Sequence, residues 1–129
     1  MKGCCCVARS KYHNKKITRD GETFDSVKEY QRWCELKLLE RAGEIKELKR
    51  QVKFKLLPTI REPVCEMSSQ GVFKKGKVLE RGVDYIADFT YKNKAGFLEV
   101  EDVKGYRTEV YKIKKKMMLH FHHIRIKEI

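Results

Sequence analysis

Asp88, Asp102 and Lys104 are the residues of this chain whose types and spacing are best suited to chemistry. Asp88 lies in a run of β-branched and aromatic residues, and the other two lie in the apolar run that follows, so both runs are predicted strands. Carboxylates are hard oxygen ligands that suit magnesium or manganese. A neighbouring lysine can offset negative charge or take a proton from water. Brought together, the three side chains would form a metal and phosphate site.

The two predicted strands are close enough in the sequence to form a hairpin; they cover residues 83–91 and 97–104. A three-residue loop that ends with Gly96 in the left-handed conformation is a favoured closure. In that register Asp88 lies opposite Asp102, and opposite residues project from the same face about 5 Å apart. The lysine two residues beyond Asp102 shares this face about 7 Å further along.

Two alternatives to this arrangement stay open. A symmetric loop of two or four residues would place Asp88 opposite Glu101 and turn Asp102 away, which makes Glu101 a substitute metal ligand. Acids in a hairpin also often lie on a solvated face. Against this, the second strand lacks a long apolar–polar alternation and is predicted to be buried on both sides. A carboxylate there is costly unless it is paired or bound to a cation.

A predicted helix from near Ser26 to near Gly43 adds a further acid, Glu29. Ser26 and Glu29 have the spacing of a capping box, and Gly43 suits the C-terminal end. Capping alone explains Glu29, and the same carboxylate can also face the strands and complete a metal shell. The helix carries a predicted apolar stripe formed by Val27, Tyr30, Trp33, Cys34, Leu36, Leu38 and Leu39.

The remaining pattern predicts a mixed sheet flanked by helices, an α/β or α+β arrangement. The further elements predicted are a hairpin around Asp20-Gly21, a strand over 51–57 that Pro58 ends, a loop or extra hairpin over 61–82, a helix from near Thr108 and a last strand over 124–129. Their order along the chain is helix, strand, two-stranded hairpin, helix, strand.

The second helix has two distinct faces in the sequence. Its predicted core face is formed by Val110, Ile113, Met117 and Phe121. Lys112, Lys115 and Lys116 fall on another face, where they are predicted to bind phosphates because they follow the acidic site directly. A charge run of this kind is otherwise simply a solvated surface.

The formal net charge of +12 over 129 residues predicts a polyanionic partner, DNA or RNA first and an anionic membrane surface second. Residues 1–16 are a basic arm without acids, which either lies on phosphates through residues such as Lys15 and Lys16 or is a disordered, solvated tail. Residues 17–129 are predicted to form one domain. No apolar run approaches the ~20 residues of a membrane span, so no membrane association by a spanning helix is expected.

The five cysteines show no zinc-site spacing, and their odd number favours a reducing compartment. They stand at positions 4, 5, 6, 34 and 65. The N-terminus has no long apolar run after its charge, so no secretory signal is predicted. The expected location is the cytoplasm. The sequence assigns no role to Cys4, Cys5 and Cys6.

The order of these residues resembles that of the PD-(D/E)XK nuclease superfamily, which has the restriction-endonuclease-like fold. The resemblance lies in Glu29 on a first helix, Asp88 on a strand, Asp102-Val103-Lys104 on the next strand and a basic helix after it. Within the superfamily the chain is similar to small phage-encoded proteins long catalogued only as a domain of unknown function. The similar stretches are 24–45, 85–89 and 100–105, within a resemblance over about residues 14–129. Ala87 stands where the superfamily pattern has proline.

This resemblance implies a magnesium-dependent DNA endonuclease, with manganese as a substitute metal. Asp88, Asp102 and Glu29 would hold the ion, and Lys104 would act on the attacking water. By analogy with phage and archaeal junction resolvases of this fold, it implies a homodimer that cuts branched DNA such as a Holliday junction, in the host-cell cytoplasm if the chain is phage-encoded. Two alternatives remain: a sequence-specific or transposon-end endonuclease of the same fold, and a basic DNA-binding protein without catalysis.

Overall fold

A four-stranded sheet with one helix against each face organises the chain. The structure, a computed structural model, describes residues 15–63, 66–72, 74–104 and 106–129. The strands are β1 (Ile17–Arg19), β2 (Glu22–Phe24), β3 (Lys46–Leu57), β4 (Ile60–Arg61), β5 (Val78–Glu80), β6 (Val83–Lys92), β7 (Leu98–Asp102) and β8 (Lys127–Glu128). The helices are α1 (Val27–Arg41) and α2 (Glu109–Met117), and a π-helical turn (Met118–His122) follows α2 directly.

The central sheet is mixed, with strand order β3-β6-β7-β8. Its first three strands are antiparallel, and β8 pairs with β7 in parallel. This confirms the prediction of an α/β fold with a mixed sheet flanked by helices. Two small hairpins lie beside it: β1–β2 turns at Asp20-Gly21 as predicted, and β4–β5 is the extra hairpin that was one of two alternatives for 61–82.

The β6–β7 hairpin has the predicted register. Phe89 pairs with Glu101 at the end of the antiparallel ladder, and extending this register by one residue places Asp88 opposite Asp102. Gly96, the last residue of the loop, has φ +89, the left-handed conformation that a three-residue loop requires. The alternative loop, which would have opposed Asp88 to Glu101, is therefore not formed.

The first helix begins and ends as predicted. Ser26 is the N-cap and its hydroxyl accepts a hydrogen bond from the Glu29 backbone, while Gly43, just past the end, has φ +78. The predicted apolar stripe was wrong in part, because Val27 and Leu38 are exposed. Of the predicted stripe the helix fully buries Leu36, and it also buries the carboxylate of Glu29. Tertiary contacts with the sheet, rather than the count of apolar residues, select the buried face.

Along β6 the odd-numbered side chains switch from one face of the sheet to the other. Tyr85 and Ala87 pack in the cluster beneath α2, whereas Phe89 and Tyr91 pack in the cluster beneath α1. The neighbouring strand β3 bends at the same level, where Gln51 has φ +51 between the pairs Arg50↔Phe89 and Val52↔Ala87. Such a local irregularity re-aims side chains within a strand. This irregularity lies at the level of Asp88.

The predicted core face of α2 was wrong in part, because Met117 packs against the core cluster and the other three residues do not. Val110, Ile113 and Phe121 are exposed, and the residues that enter the core are Tyr111 and Met118. The two sets lie one residue apart along the helix, a rotation of about 100° at 3.6 residues per turn. Both satisfy helical spacing, so the periodicity alone could not select between them. The consequence is an apolar stripe on the outside of α2.

Within the described residues, no helix is long and apolar enough to span a membrane. The basic arm falls mostly on residues 1–14, which lie outside the described ranges together with Cys4, Cys5 and Cys6. The division into an arm and a single domain stays a prediction.

Candidate functional site

Asp88, which is half-buried, and Asp102, which is buried, form a pair of carboxyls in the sheet. Asp102 is fully buried, and its Oδ2 accepts a hydrogen bond of 2.6 Å from the Tyr85 hydroxyl. Asp88 Oδ2 accepts a hydrogen bond of 2.9 Å from the backbone N–H of Val103. The two acids come from different strands and meet because the hairpin register opposes them.

The pKa of Asp88 is raised to about 8. Burial is the largest cause, since it disfavours the charged carboxylate. The next causes are a hydrogen bond with Asp102, which requires a proton on one of the two carboxyls, and the negative charge of Asp102. The Val103 N–H works in the opposite direction because it favours the ionised form. A cation between the two acids would remove the reason for this shared proton.

Lys104 completes the constellation that the sequence predicted. Its Nζ lies 2.8 Å from Asp102 Oδ1, at ion-pair distance but outside hydrogen-bond geometry. The same ammonium lies 4.7 Å from the ring centroid of Tyr111, a distance at which a cation is attracted to an aromatic face. The Lys104 side chain is 29% exposed, so it connects the buried acids with solvent. A phosphate arriving from solvent would meet this ammonium.

Glu29 is buried at the start of α1, and its role as a metal ligand stays a prediction. Its Oε2 accepts a hydrogen bond of 3.0 Å from the backbone N–H of Asp25, the residue before the N-cap, whereas a capping box would use the N–H of Ser26 itself. Its Oε1 is buried without a hydrogen-bond partner and lies 3.5 Å from Arg50 Nη2. Its negative charge is also one of the causes that raise the pKa of Asp88, which places it near the acid pair.

Glu101 lies on the opposite face of β7 and does not face Asp88. Its carboxylate accepts hydrogen bonds from Arg32 Nε and Nη2, at 2.9 and 2.7 Å, and from the Tyr91 hydroxyl at 2.6 Å. This buried ion pair raises the pKa of Arg32, chiefly through the hydrogen bond with Glu101. Since its oxygens are engaged with α1, Glu101 is not available to substitute for Asp102.

The donor set suits a divalent cation through two carboxylates. Asp102 Oδ1 is buried and accepts no hydrogen bond; its contact is the ion pair with the Lys104 ammonium. Oxygen-rich, partly solvated sites with one or two carboxylates are typical of magnesium. Among the described residues, no group of three or more histidines, cysteines or acids is arranged to hold a metal. Asp88 and Asp102 are the two acids that could hold such an ion, and Glu29 does not join them in a three-ligand group.

The family of the chain follows from a sequence comparison. The model of the DUF1064 family, described as a protein of unknown function, matches residues 9–129. The chain belongs to the DUF1064 family. No curated protein and no solved structure matches it. For this DUF1064 protein, the geometry of the site therefore carries the functional argument.

The three α2 lysines differ in how far they are free to bind phosphate. Lys112 lies 2.8 Å from Glu109, one turn earlier, and both side chains are exposed. Lys115 donates to Glu128 on β8. Lys116 is exposed. Only part of this basic face is thus compensated by acids.

Lys15 and Lys16, the described end of the arm, are exposed. Lys16 lies 3.8 Å from Asp25, just before α1. This contact is a surface ion pair, which contributes little to stability and leaves the lysine accessible to a partner.

Sequence reasoning missed the groups that support the acid pair. Tyr85 donates a hydrogen bond to Asp102. Glu128 is paired with Asp102 on the adjacent parallel strand. Its carboxylate accepts hydrogen bonds from Lys115 and the Tyr111 hydroxyl and forms an ion pair with Arg107. An i, i+3 spacing of Tyr85 to Asp88 in a strand gives no signal, because it normally places side chains on opposite faces. The change of face at Asp88 brings Tyr85 to the site.

Proposed function

We propose that this DUF1064 protein is a magnesium-dependent endonuclease that hydrolyses phosphodiester bonds in DNA, with branched DNA such as a four-way junction as its preferred substrate. The observation that carries the proposal is the contact between the Asp88 and Asp102 carboxyls, with Lys104 Nζ 2.8 Å from Asp102. A buried acid, a half-buried acid and an accessible ammonium on one sheet face are suited to metal-assisted phosphate chemistry.

The order of elements supports the restriction-endonuclease-like fold as part of this proposal. Helix α1 precedes an antiparallel three-stranded meander that carries the acids, and α2 leads into β8, parallel to β7. This is the order helix, strand, hairpin, helix, strand that the resemblance to PD-(D/E)XK nucleases implies. Function still has to be argued from the site, since one fold hosts many activities.

The chain's own residues would divide the work at the scissile phosphate. Asp88 and Asp102 would hold magnesium, or manganese in its place, which when bound polarises the phosphate and lowers the pKa of a coordinated water. Lys104 would orient the attacking water and offset charge that develops on the phosphate oxygens. Tyr85 fixes the rotamer of Asp102 by its hydrogen bond. Glu29 would contribute negative charge next to Asp88.

DNA as the partner is supported by charge. A net charge of +12 provides the nonspecific attraction to phosphate that nucleic-acid enzymes need. Lys116 and Lys112 on α2 follow the site directly and are exposed. They are placed to position a backbone rather than to read bases.

A homodimer is part of the proposal, because two cuts in a branched substrate need two sites. The exposed apolar side chains of Val110, Ile113 and Phe121 on α2 provide a surface that a second copy would cover. Exposed contiguous apolar surface is a common mark of association.

The test is a cleavage assay on four-way junction, flap and linear duplex DNA, with magnesium, with manganese and with chelator. Asp102→Asn should abolish metal-dependent cutting and keep DNA binding. Glu99→Gln is the control, because Glu99 also lies on β7 but on the opposite face, paired with Lys127. Cutting of linear duplex at one sequence would favour the sequence-specific or transposon-end alternative.

A second candidate function is DNA binding without catalysis. It is favoured by the absence of a three-ligand metal group among the described residues. It predicts DNA affinity that falls with salt and is unchanged in Asp102→Asn, with no cutting by the wild type on any substrate of the panel.

A further inference from the structure

A basic groove lies between β3 and the β4–β5 hairpin. It has a volume of about 680 Å³. The charged side chains that line it are Lys53, Lys55, Arg61, Arg81 and Asp84. The groove includes neither the acid pair nor any of the α2 lysines, so it is a second feature of the molecule.

The alternation of β3 places this groove on the sheet face opposite α2. Phe54 and Leu56 pack in the cluster beneath α2, so Lys53 and Lys55 between and beside them project from the other face. That face is covered by α1 further along, where Arg50 Cζ lies 5.5 Å from the ring centroid of Trp33 on α1. Beyond the bend at β3 the face is open, and the groove occupies the open part.

The wall of the groove depends on a close approach of two backbones. At Gly82 a Cβ atom would lie 2.6 Å from the carbonyl oxygen of Leu57, a distance that real side chains do not show. The Gly82 N–H donates to the Thr59 hydroxyl at 3.1 Å, which ties the β5–β6 connection to the end of β3. The groove is therefore held by backbone packing and not only by long side chains.

The charges in the groove are not balanced from within. Asp84 lies 3.1 Å from Lys53 and compensates that lysine. Arg61 donates to the Gly76 carbonyl at 3.1 Å, a contact that fixes its guanidinium without neutralising it. The charged side chains that line the groove leave a net charge of +3. A concave surface concentrates the field of like charges, which favours a polyanion there.

We propose that this groove binds the sugar-phosphate backbone of DNA, in a segment away from the bond that is cut. The identity of the polyanion as DNA rests on the proposed function, whereas the groove lies on the opposite face from Asp102 and can be tested separately. The concave shape favours a polymer strand over a flat anionic membrane surface. Lys55 and Arg81 are the cations that the proposal makes most important, because Lys53 and Arg61 already have partners in the chain.

The test compares two double variants with equal loss of charge. Lys55→Gln/Arg81→Gln removes groove cations, and the matched control Arg41→Gln/Lys46→Gln removes one exposed arginine at the end of α1 and one exposed lysine of β3. Affinity for a fluorescent four-way junction and for duplex DNA is measured by anisotropy in chelator across a range of salt concentrations. We expect the groove variant to bind at least about tenfold more weakly than wild type and its salt slope to fall by about two. The control should change affinity less than about twofold.

Equal effects of the two double variants, or wild-type affinity in the groove variant, would overturn the proposal. So would unchanged DNA affinity with lost binding to vesicles of anionic phospholipid. Lys55→Arg/Arg81→Lys should restore DNA binding, and thermal unfolding shows that each variant is folded. If the groove variant loses binding while the wild type never cuts DNA, the groove stands and the nuclease falls. If the wild type cuts DNA and the groove variant binds DNA normally, the nuclease proposal stands and the groove proposal is wrong.

Discussion

Asp88 and Asp102 lie opposite one another on neighbouring strands, and burial together with the contact between the two carboxyls raises the pKa of Asp88 to about 8. A carboxyl that keeps its proton at neutral pH does so because its surroundings, chiefly burial, disfavour the charged form. Strongly perturbed pKa values cluster at functional sites, although structural ion-pair networks also produce them. Here Asp102 of the pair also contacts the partly exposed Lys104, which favours a functional role.

The pH dependence of stability follows from this pair. In metal-free buffer the folded chain keeps the Asp88 proton up to about pH 8, whereas an unfolded aspartate ionises near ~3.9. The folded state therefore binds more protons in between, and the free energy of unfolding should fall as pH rises through this window. Asp88→Asn cannot ionise and should be more stable than wild type near pH 8, by on the order of a few kcal/mol, and similar to it near pH 4. Urea unfolding at several pH values measures this; parallel pH curves would contradict the shared proton.

Metal binding should depend on the same pair of acids. Magnesium or manganese at pH 8 should raise the unfolding temperature of the wild type, because the ion binds only the folded site. Neither Asp88→Asn nor Asp102→Asn should respond to the same degree, while Glu99→Gln should respond as the wild type does. An equal shift in all four proteins would mean that the metal binds elsewhere. The readout does not depend on activity.

Lys104 should be needed for cutting and dispensable for DNA binding. Lys104→Met keeps most of the side-chain length but removes the ammonium 2.8 Å from Asp102. We expect the cleavage rate to fall about 10²–10⁴-fold, as for loss of a positioned acid–base group. Junction affinity should change little, since one phosphate contact at most is lost. A rate within about threefold of wild type would remove Lys104 from the mechanism.

Glu101 and Asp102, adjacent in the chain, should separate into structural and functional roles. Glu101→Gln weakens the pair with Arg32 and should lower the free energy of unfolding by about 3 kcal/mol, because Arg32 loses its buried partner and keeps only Glu35. Metal response and cleavage at a temperature where the variant is folded should persist. Asp102→Asn should show the opposite pattern. Loss of metal response in Glu101→Gln with normal stability would contradict the assignment.

Much of the site could be predicted from the sequence because it depends on local rules. Gly96 set the hairpin register, and Ser26 with Glu29 set the start of α1. The pairing of Arg32 with Glu101 could not be predicted, since it joins elements 69 residues apart through side-chain packing. The bend at Gln51, a non-glycine residue with φ +51, has no signature in the sequence either. It decides which residues of β6 reach the site.

The exposed stripe on α2 makes the homodimer testable. Val110→Ser/Ile113→Ser removes apolar side chains that are 62% and 57% exposed and enter no core cluster. If a second copy covers this stripe, the variant should sediment as a monomer where the wild type is a dimer, with little loss of thermal stability in the monomer. Leu38→Ser, an exposed apolar residue on α1, is the control. A wild type that is monomeric at all concentrations would contradict the dimer.

The most direct test of the central claim is the rate of strand cleavage in a labelled four-way junction by wild type, Asp88→Asn and Asp102→Asn, with magnesium and with chelator. The acid pair predicts cutting only by the wild type with magnesium, and junction binding by all three. Binding without cutting by the wild type, or cutting that survives in Asp102→Asn, would contradict it.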